Sequence, residues 1–258
     1  MPWAEIRGVR CYLRILNAEG QDTVVMVHGL YGNHTVFYRC GAKTLADMGY
    51  RVVMFDLRGH GMSDFSDREY TLADLAEDLF GVMDYLKIDA AHLVGYSVGA
   101  NACLKAALMH PERVKSLALV EPSGMKLADL ERLPTDVPGV DEFLAEYTES
   151  TGITISERNR DDFQRRALEL AQRHAKESLL RDVDFFTLAD LESIRQPVLL
   201  LCGKQSPFAD DHELARKRIP EALMKVKTGN HYLPITQSNW LKSEIYVFFS
   251  QVQKSVRP

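Results

Sequence analysis

The sequence predicts an α/β fold, a mostly parallel, doubly wound sheet with helices on both faces and one helical insertion. Three observations carry this. Short β-branched, apolar runs alternate with stretches of helical periodicity along the 258 residues. The runs are apolar at nearly every position, as strands covered on both faces are. The alternation halts once, between Gly124 and Gln196, where charged, helical sequence takes over.

In order, Ile6 to Leu16 reads as an early extended segment, followed after Asn17-Ala18-Glu19-Gly20 by a buried strand, Thr23 to Val27. A Gly-rich loop, His28 to His34, leads to a helix near Val36 to Met48 and a second buried strand, Tyr50 to Phe55. Strand, helix and strand at this spacing make a parallel pair. Leu72, Leu75, Ala76, Leu79, Val82, Met83 and Leu86 mark a helix, and Ala91 to Val94 a short strand before a Gly-rich turn. A helix over Asn101 to Met109 and strands at Val114 to Val120 and Pro197 to Cys202 follow. A helix near Asp211 to Arg218, a strand at Met224 to Lys227 and a helix from Asn239 to Gln253 complete the pattern.

Residues 1–123 and 197–258 are therefore read as one core, and 124–196 as a helical lid. Leu130 to Pro134 and Pro138 break the first part of the lid, and Glu157 to Leu180 is amphipathic, with Phe163, Leu168 and Leu170 available to face inward.

Composition narrows the function. Hydrophobic residues make up 46% of the chain, enough to enclose a full sheet, and the formal net charge is -5. With a pI near 5.9, no broad basic surface exists to neutralise a phosphate backbone, so nucleic acid is not an expected partner. Cys11, Cys40, Cys103 and Cys202 are scattered singly, without the paired spacing of a zinc site or a redox couple. The first residues lack the apolar stretch of a secretory signal, and no run reaches the ~18 apolar residues of a membrane span. A cytoplasmic enzyme without metal or cofactor is the expectation, and a homodimer is left open.

The chemistry concentrates in Gly95-Tyr96-Ser97-Val98-Gly99, a G-x-S-x-G run between a strand and a helix. So sharp a turn forces the serine into strained φ/ψ and requires glycine where side chains would strike the neighbouring strand and helix. Ser97 is thereby lifted to the carboxyl edge of the sheet beside a helix N-terminus, whose N–H groups face a developing oxyanion. A serine hydroxyl needs a positioned base. His231, in the loop Thr228 to Pro234 between the last strand and the last helix, stands where the chain order serine, acid, histidine expects one; His110 and His174 sit on helices, His92 opens a strand and His212 starts a helix. After the strand Thr23 to Val27, His28-Gly29-Leu30-Tyr31-Gly32 offers the N–H of Leu30 as a second oxyanion donor beside that of Val98. His28 is read as holding this loop by hydrogen bonds.

From about Thr23 to Phe249 the chain resembles the α/β-hydrolase superfamily, and Asp56-Leu57-Arg58-Gly59-His60-Gly61 looks like that family's turn after its fourth strand. The resemblance implies a catalytic Asp shortly after the strand that ends at Cys202, but Ser206 stands there. Glu121, which finishes the apolar run Leu117 to Val120, is the preferred acid, because a glutamate ending a buried strand demands a partner. Its position is similar to that in fungal lactonases that open the zearalenone ring. Asp210 or Asp211 is the rival. The expected activity is hydrolysis of an ester or lactone of a hydrophobic small molecule through an acyl-enzyme, with Tyr31, Tyr96, Met125 and Tyr232 around the nucleophile. Carbon–carbon cleavage or cofactor-free oxygen chemistry with His231 as base is the alternative, and a slow-turnover ligand sensor is a third reading.

Overall fold

A computed structural model describes residues 2–68, 70–123, 140–154, 156, 161, 164–166, 169 and 186–256. Eight strands form one sheet: β1 (Trp3–Ile6), β2 (Val9–Leu16), β3 (Thr23–Val27), β4 (Arg51–Phe55), β5 (Ala91–Tyr96), β6 (Val114–Val120), β7 (Val198–Gly203) and β8 (Leu223–Lys227). Their spatial order is β1-β2-β4-β3-β5-β6-β7-β8. The pairs β1/β2 and β2/β4 are antiparallel and the remaining pairs parallel.

The period-two pattern of the strands separates two apolar layers. Val25, Val27, Val53, Phe55, Leu93, Leu117, Leu119 and Leu200 face α3 (Leu72–Tyr85) and α4 (Val98–Met109). Val24, Met26, Val52, Met54, Val94, Ala118, Val120 and Leu201 face the opposite layer. That layer holds α1 (Val36–Cys40), α2 (Ala42–Asp47) and a C-terminal helix, Ser238–Val256. Each fully buried aliphatic side chain contributes roughly 1.5–3 kcal/mol, so both faces drive the strands into register.

Between β6 and β7 the described residues include α5 (Val140–Thr151) and α6 (Leu188–Ser193), the latter opened by a Thr187/Asp190 capping box. Then α7 (Ala209–Arg218) joins β7 to β8, and α8 (Leu233–Thr236) precedes the C-terminal helix, α9. Met125, the breaks at Leu130 to Pro134 and Pro138, and most of Glu157 to Leu180, including Phe163, Leu168 and Leu170, lie outside the described residues. Among the described residues no helix is long and apolar enough to cross a membrane.

Three expectations are corrected. The early extended segment is a hairpin, because Arg7 (φ 49) and Gly8 (φ 81) turn the chain between β1 and β2. The helix over Val36 to Met48 is two helices, broken where Gly41 takes φ 127. The single turn α8 was not anticipated; Pro234 stands in its first turn, where a missing N–H costs nothing.

Candidate active site

Register brings the reactive groups together. Tyr96 pairs with Val120, and Val120 with Leu201, so Ser97 and Glu121 each stand one residue beyond a paired strand end at the same carboxyl edge. Both turn sharply there: Ser97 has φ 55 and Glu121 φ 50, in the left-handed region that costs a non-glycine residue about 1 kcal/mol or more. Two backbone bonds hold the turns, Ser97 N–H donating to Val120 O at 2.9 Å and Glu121 N–H to Leu201 O at 3.0 Å. The glycines of the elbow are required by close approach. A Cβ on Gly95 would overlap the backbone of Gly99 and Ala100, and one on Gly99 the carbonyl oxygens of Val27 and His28.

Ser97 occupies the N-cap position of α4, where a serine hydroxyl usually accepts a backbone N–H, yet it makes no such bond. Its Oγ lies 3.0 Å from Nε2 of His231, in the loop between β8 and α8. Nδ1 of His231 lies 3.2 Å from Oε2 of Glu121. With Nδ1 protonated, Nε2 is free to accept from the serine. Glu121 is fully buried. Its Oε1 accepts the N–H of Gly203, and its Oε2 also accepts the Ser206 hydroxyl at 2.6 Å, the acceptor-only pattern of a carboxylate. Ser206, at the position where the superfamily pattern has an acid, thus serves Glu121 as a donor. The rival Asp211 lies buried on α7, and the imidazole bond goes to Glu121.

Aromatic rings enclose the imidazole. Tyr96 stacks on it at 5.4 Å and donates its hydroxyl to the His231 carbonyl at 3.0 Å. Phe208 meets it edge-on at 5.1 Å and Tyr232 at 6.0 Å. Burial raises the Tyr96 phenol well above its ordinary pKa, so it stays a neutral donor. Tyr31, in the loop after β3, is half-buried, and burial raises its phenol too.

The loop after β3 presses against the elbow: a Cβ on Gly29 would sit 3.0 Å from the Ser97 Cβ. His28 fastens it as expected. Its Nδ1–H donates to Gly29 O at 2.8 Å while Nε2 accepts the Leu57 N–H at 3.0 Å, an arrangement that requires the neutral ring. Burial, opposed in part by Asp56, lowers the His28 pKa accordingly. The N–H groups of Leu30 and Val98 have no hydrogen-bond acceptor among the described residues.

Residues 22–166 match the family model described as alpha/beta hydrolase fold. The chain belongs to the α/β-hydrolase family. Among curated relatives, a 2-hydroxy-6-oxononadienedioate/2-hydroxy-6-oxononatrienedioate hydrolase of Paraburkholderia phymatum is 40% identical over 105 residues, covering 39% of this chain and 36% of its own. A putative carbamate hydrolase, RutD, of a Caulobacter species is 26% identical over 254 residues, 90% of this chain and 92% of the relative. The first relatives matched are spanned over only 32%, 36% and 32% of their own length. The crystal structure of a membrane phospholipase A, described as a bacterial virulence factor, superimposes with a TM-score of 0.83 at 21% identity over 97% of this chain and 86% of that one, and so shares the fold.

Sequence reasoning missed four contributors: Phe208, Tyr147, Ser150 and the Gly203 N–H. Tyr147 packs edge-on against Tyr232 at 5.6 Å. Leu144, Tyr147 and Thr151 recur at helical spacing within α5, which marks one face of the helix but names no partner for it. The Gly203 N–H carries no side-chain signal at all.

Proposed function

We propose that this α/β-hydrolase cleaves an ester or lactone of a hydrophobic small molecule through an acyl-enzyme. The hydrogen-bonded chain from Ser97 Oγ through His231 to Glu121 carries the reading. Ser97 Oγ attacks the carbonyl carbon as His231 Nε2 takes its proton, and Glu121 stabilises the imidazolium from the Nδ1 side. The N–H groups of Leu30 and Val98 receive the oxyanion, each such donor being worth ~10²–10³ in turnover. His231 returns the proton to the departing alkoxide. A water molecule, deprotonated by the same imidazole, then hydrolyses the acyl-Ser97 ester and restores the hydroxyl.

The aromatic surroundings, Tyr31, Tyr96, Tyr232 and Phe208, favour an apolar acyl or alkoxy group, and the insertion at 124–196 acts as a lid over it. Four free, buried cysteines accord with a reducing compartment, and the cytoplasm is part of this reading. A fluorophosphonate probe tests the proposal. Ser97 is expected to carry the adduct, and Ser97→Ala to abolish both labelling and hydrolysis in a screen of p-nitrophenyl esters, lactones and amides. An unlabelled Ser97, or Ser97→Ala at full activity, ends it.

A second reading, hydrolytic carbon–carbon cleavage with His231 as base, is favoured by the 40% identity to the nonadienedioate hydrolase. Turnover of a vinylogous 1,5-diketone in preference to every ester of the screen would select it.

A further inference from the structure

The histidine is gripped from two sides, and only one of them is the core. From the core, the Tyr96 hydroxyl holds the His231 carbonyl and the Tyr96 ring stacks on the imidazole. From the insertion, α5 takes hold of the residues on either side of it. Asn230 Nδ2–H donates to Ser150 Oγ at 2.7 Å, while Asn230 Oδ1 accepts the Tyr232 N–H at 3.1 Å. The asparagine amide thus bridges over His231, and Ser150 fixes which way the amide faces. The ring of Tyr232 in turn meets that of Tyr147 edge-on, with an interplanar angle of 90°. Tyr147 and Ser150 are three residues apart on one helix, so they present one face to the histidine loop.

We infer that Ser150 and Tyr147 are positioning residues for His231: the docking of α5 on the histidine loop completes the alignment of Nε2 with the Ser97 hydroxyl, so the insertion sets turnover as well as substrate fit. This rests on the serine-hydrolase reading above. With Ser150 truncated, the Asn230 amide loses the partner that orients it, and the turn that carries the imidazole gains freedom. Proton transfer is sensitive to such misplacement because the reacting atoms must sit within a narrow range of distance and angle. A contact that merely seats the insertion would instead change stability or KM.

The test uses the full chain, p-nitrophenyl acetate for turnover and diethyl p-nitrophenyl phosphate for inactivation at Ser97. Ser150→Ala is expected to lower kcat about three- to tenfold, the scale of one hydrogen bond, with KM within about twofold and the inactivation rate falling in step. Ser150→Thr, which keeps the hydroxyl, stays within about twofold of wild type. In an Asn230→Ala background, Ser150→Ala has no further effect, because Ser150 acts on the histidine loop through the Asn230 amide. Tyr147→Leu reproduces the kcat loss, which carries the test even where Ser150→Ala folds poorly. Unchanged kcat and inactivation in both Ser150→Ala and Tyr147→Leu, or effects of Ser150 and Asn230 that multiply, overturn the inference. Failure of wild-type Ser97 to react at all is a separate result, and overturns the hydrolase reading.

Discussion

Replacing Glu121 by glutamine removes a charge without removing a shape, and the surroundings dictate how the new amide must sit. Oε1 receives the Gly203 N–H, a backbone donor that cannot reverse. The amide oxygen must take that place, because an NH2 group there would face another donor across a buried contact. The NH2 group then falls at the Oε2 position, opposite the Ser206 hydroxyl and Nδ1 of His231. Ser206 can rotate to accept. The imidazole can accept at Nδ1 only by moving its proton to Nε2, and Nε2–H can no longer receive the proton of Ser97. The variant is thereby locked in the wrong tautomer, a change that costs about 10⁴ in turnover, or about 5 kcal/mol of transition-state stabilisation. The assay is the second-order rate of fluorophosphonate labelling by intact mass, set beside kcat/KM for an ester and a thermal melt to confirm folding. A folded Glu121→Gln within tenfold of wild type refutes the reasoning. It does so decisively if Asp211→Asn or Asp210→Asn loses three decades instead.

Two other outcomes follow from the same geometry. Burial pushes the His60 pKa down to about 3, and that of His28 down as well; below about pH 6.5 the unfolded chain binds protons that the folded chain refuses, so stability is full above that value and drains away as pH falls toward 3. At pH 5 His60 alone costs about 2 kcal/mol, a Tm roughly 4–8 °C below that at pH 7.5; His60→Leu flattens that slope, and a melt independent of pH over this range contradicts the account. Gly99→Ala sets a methyl against the Val27 and His28 carbonyl oxygens, so it is expected to lower the Tm by more than 5 °C and to slow Ser97 labelling; an unchanged melt and labelling rate would contradict the close approach.

The five central strands, β3 to β7, were legible because each is a nearly continuous buried run set in alternation with helical stretches, whereas β1 and β2 alternate and β8 is mostly exposed. Thr23–Val27 and Val114–Val120 match the structure at both ends. Boundaries failed where a single backbone angle decided the outcome. Gly41 sits within a helical pattern that continues across it, and only its φ of 127 divides α1 from α2. The approach of His231 to Ser97 was legible from motif and chain order. The grip of α5 on the histidine loop was not, because an asparagine, a serine and two tyrosines have no spacing in sequence that announces a meeting across 80 residues.

Glu121, the proposed acid, is instructive because the sequence singled it out by the cost of burying a carboxylate. Glu121 follows β6 and is itself fully buried, and a carboxylate there needs several donors. The pairing of Val120 with Leu201 brings the end of β6 beside the turn after β7, so a carboxylate issuing from either strand end occupies the same space behind His231. Two carboxylates placed there would not both ionise, because like charges at that separation repel. With Glu121 as the proposed acid, a small neutral donor at position 206 fits the space. Ser206 meets that need, giving its proton to Oε2 and accepting the Phe208 N–H at 3.1 Å, which also seats the ring that packs on the imidazole. The missing aspartate and the buried glutamate are therefore one observation, and a Ser206→Asp substitution is expected to abolish labelling of Ser97 in the presence of Glu121 and to restore part of it in Glu121→Ala.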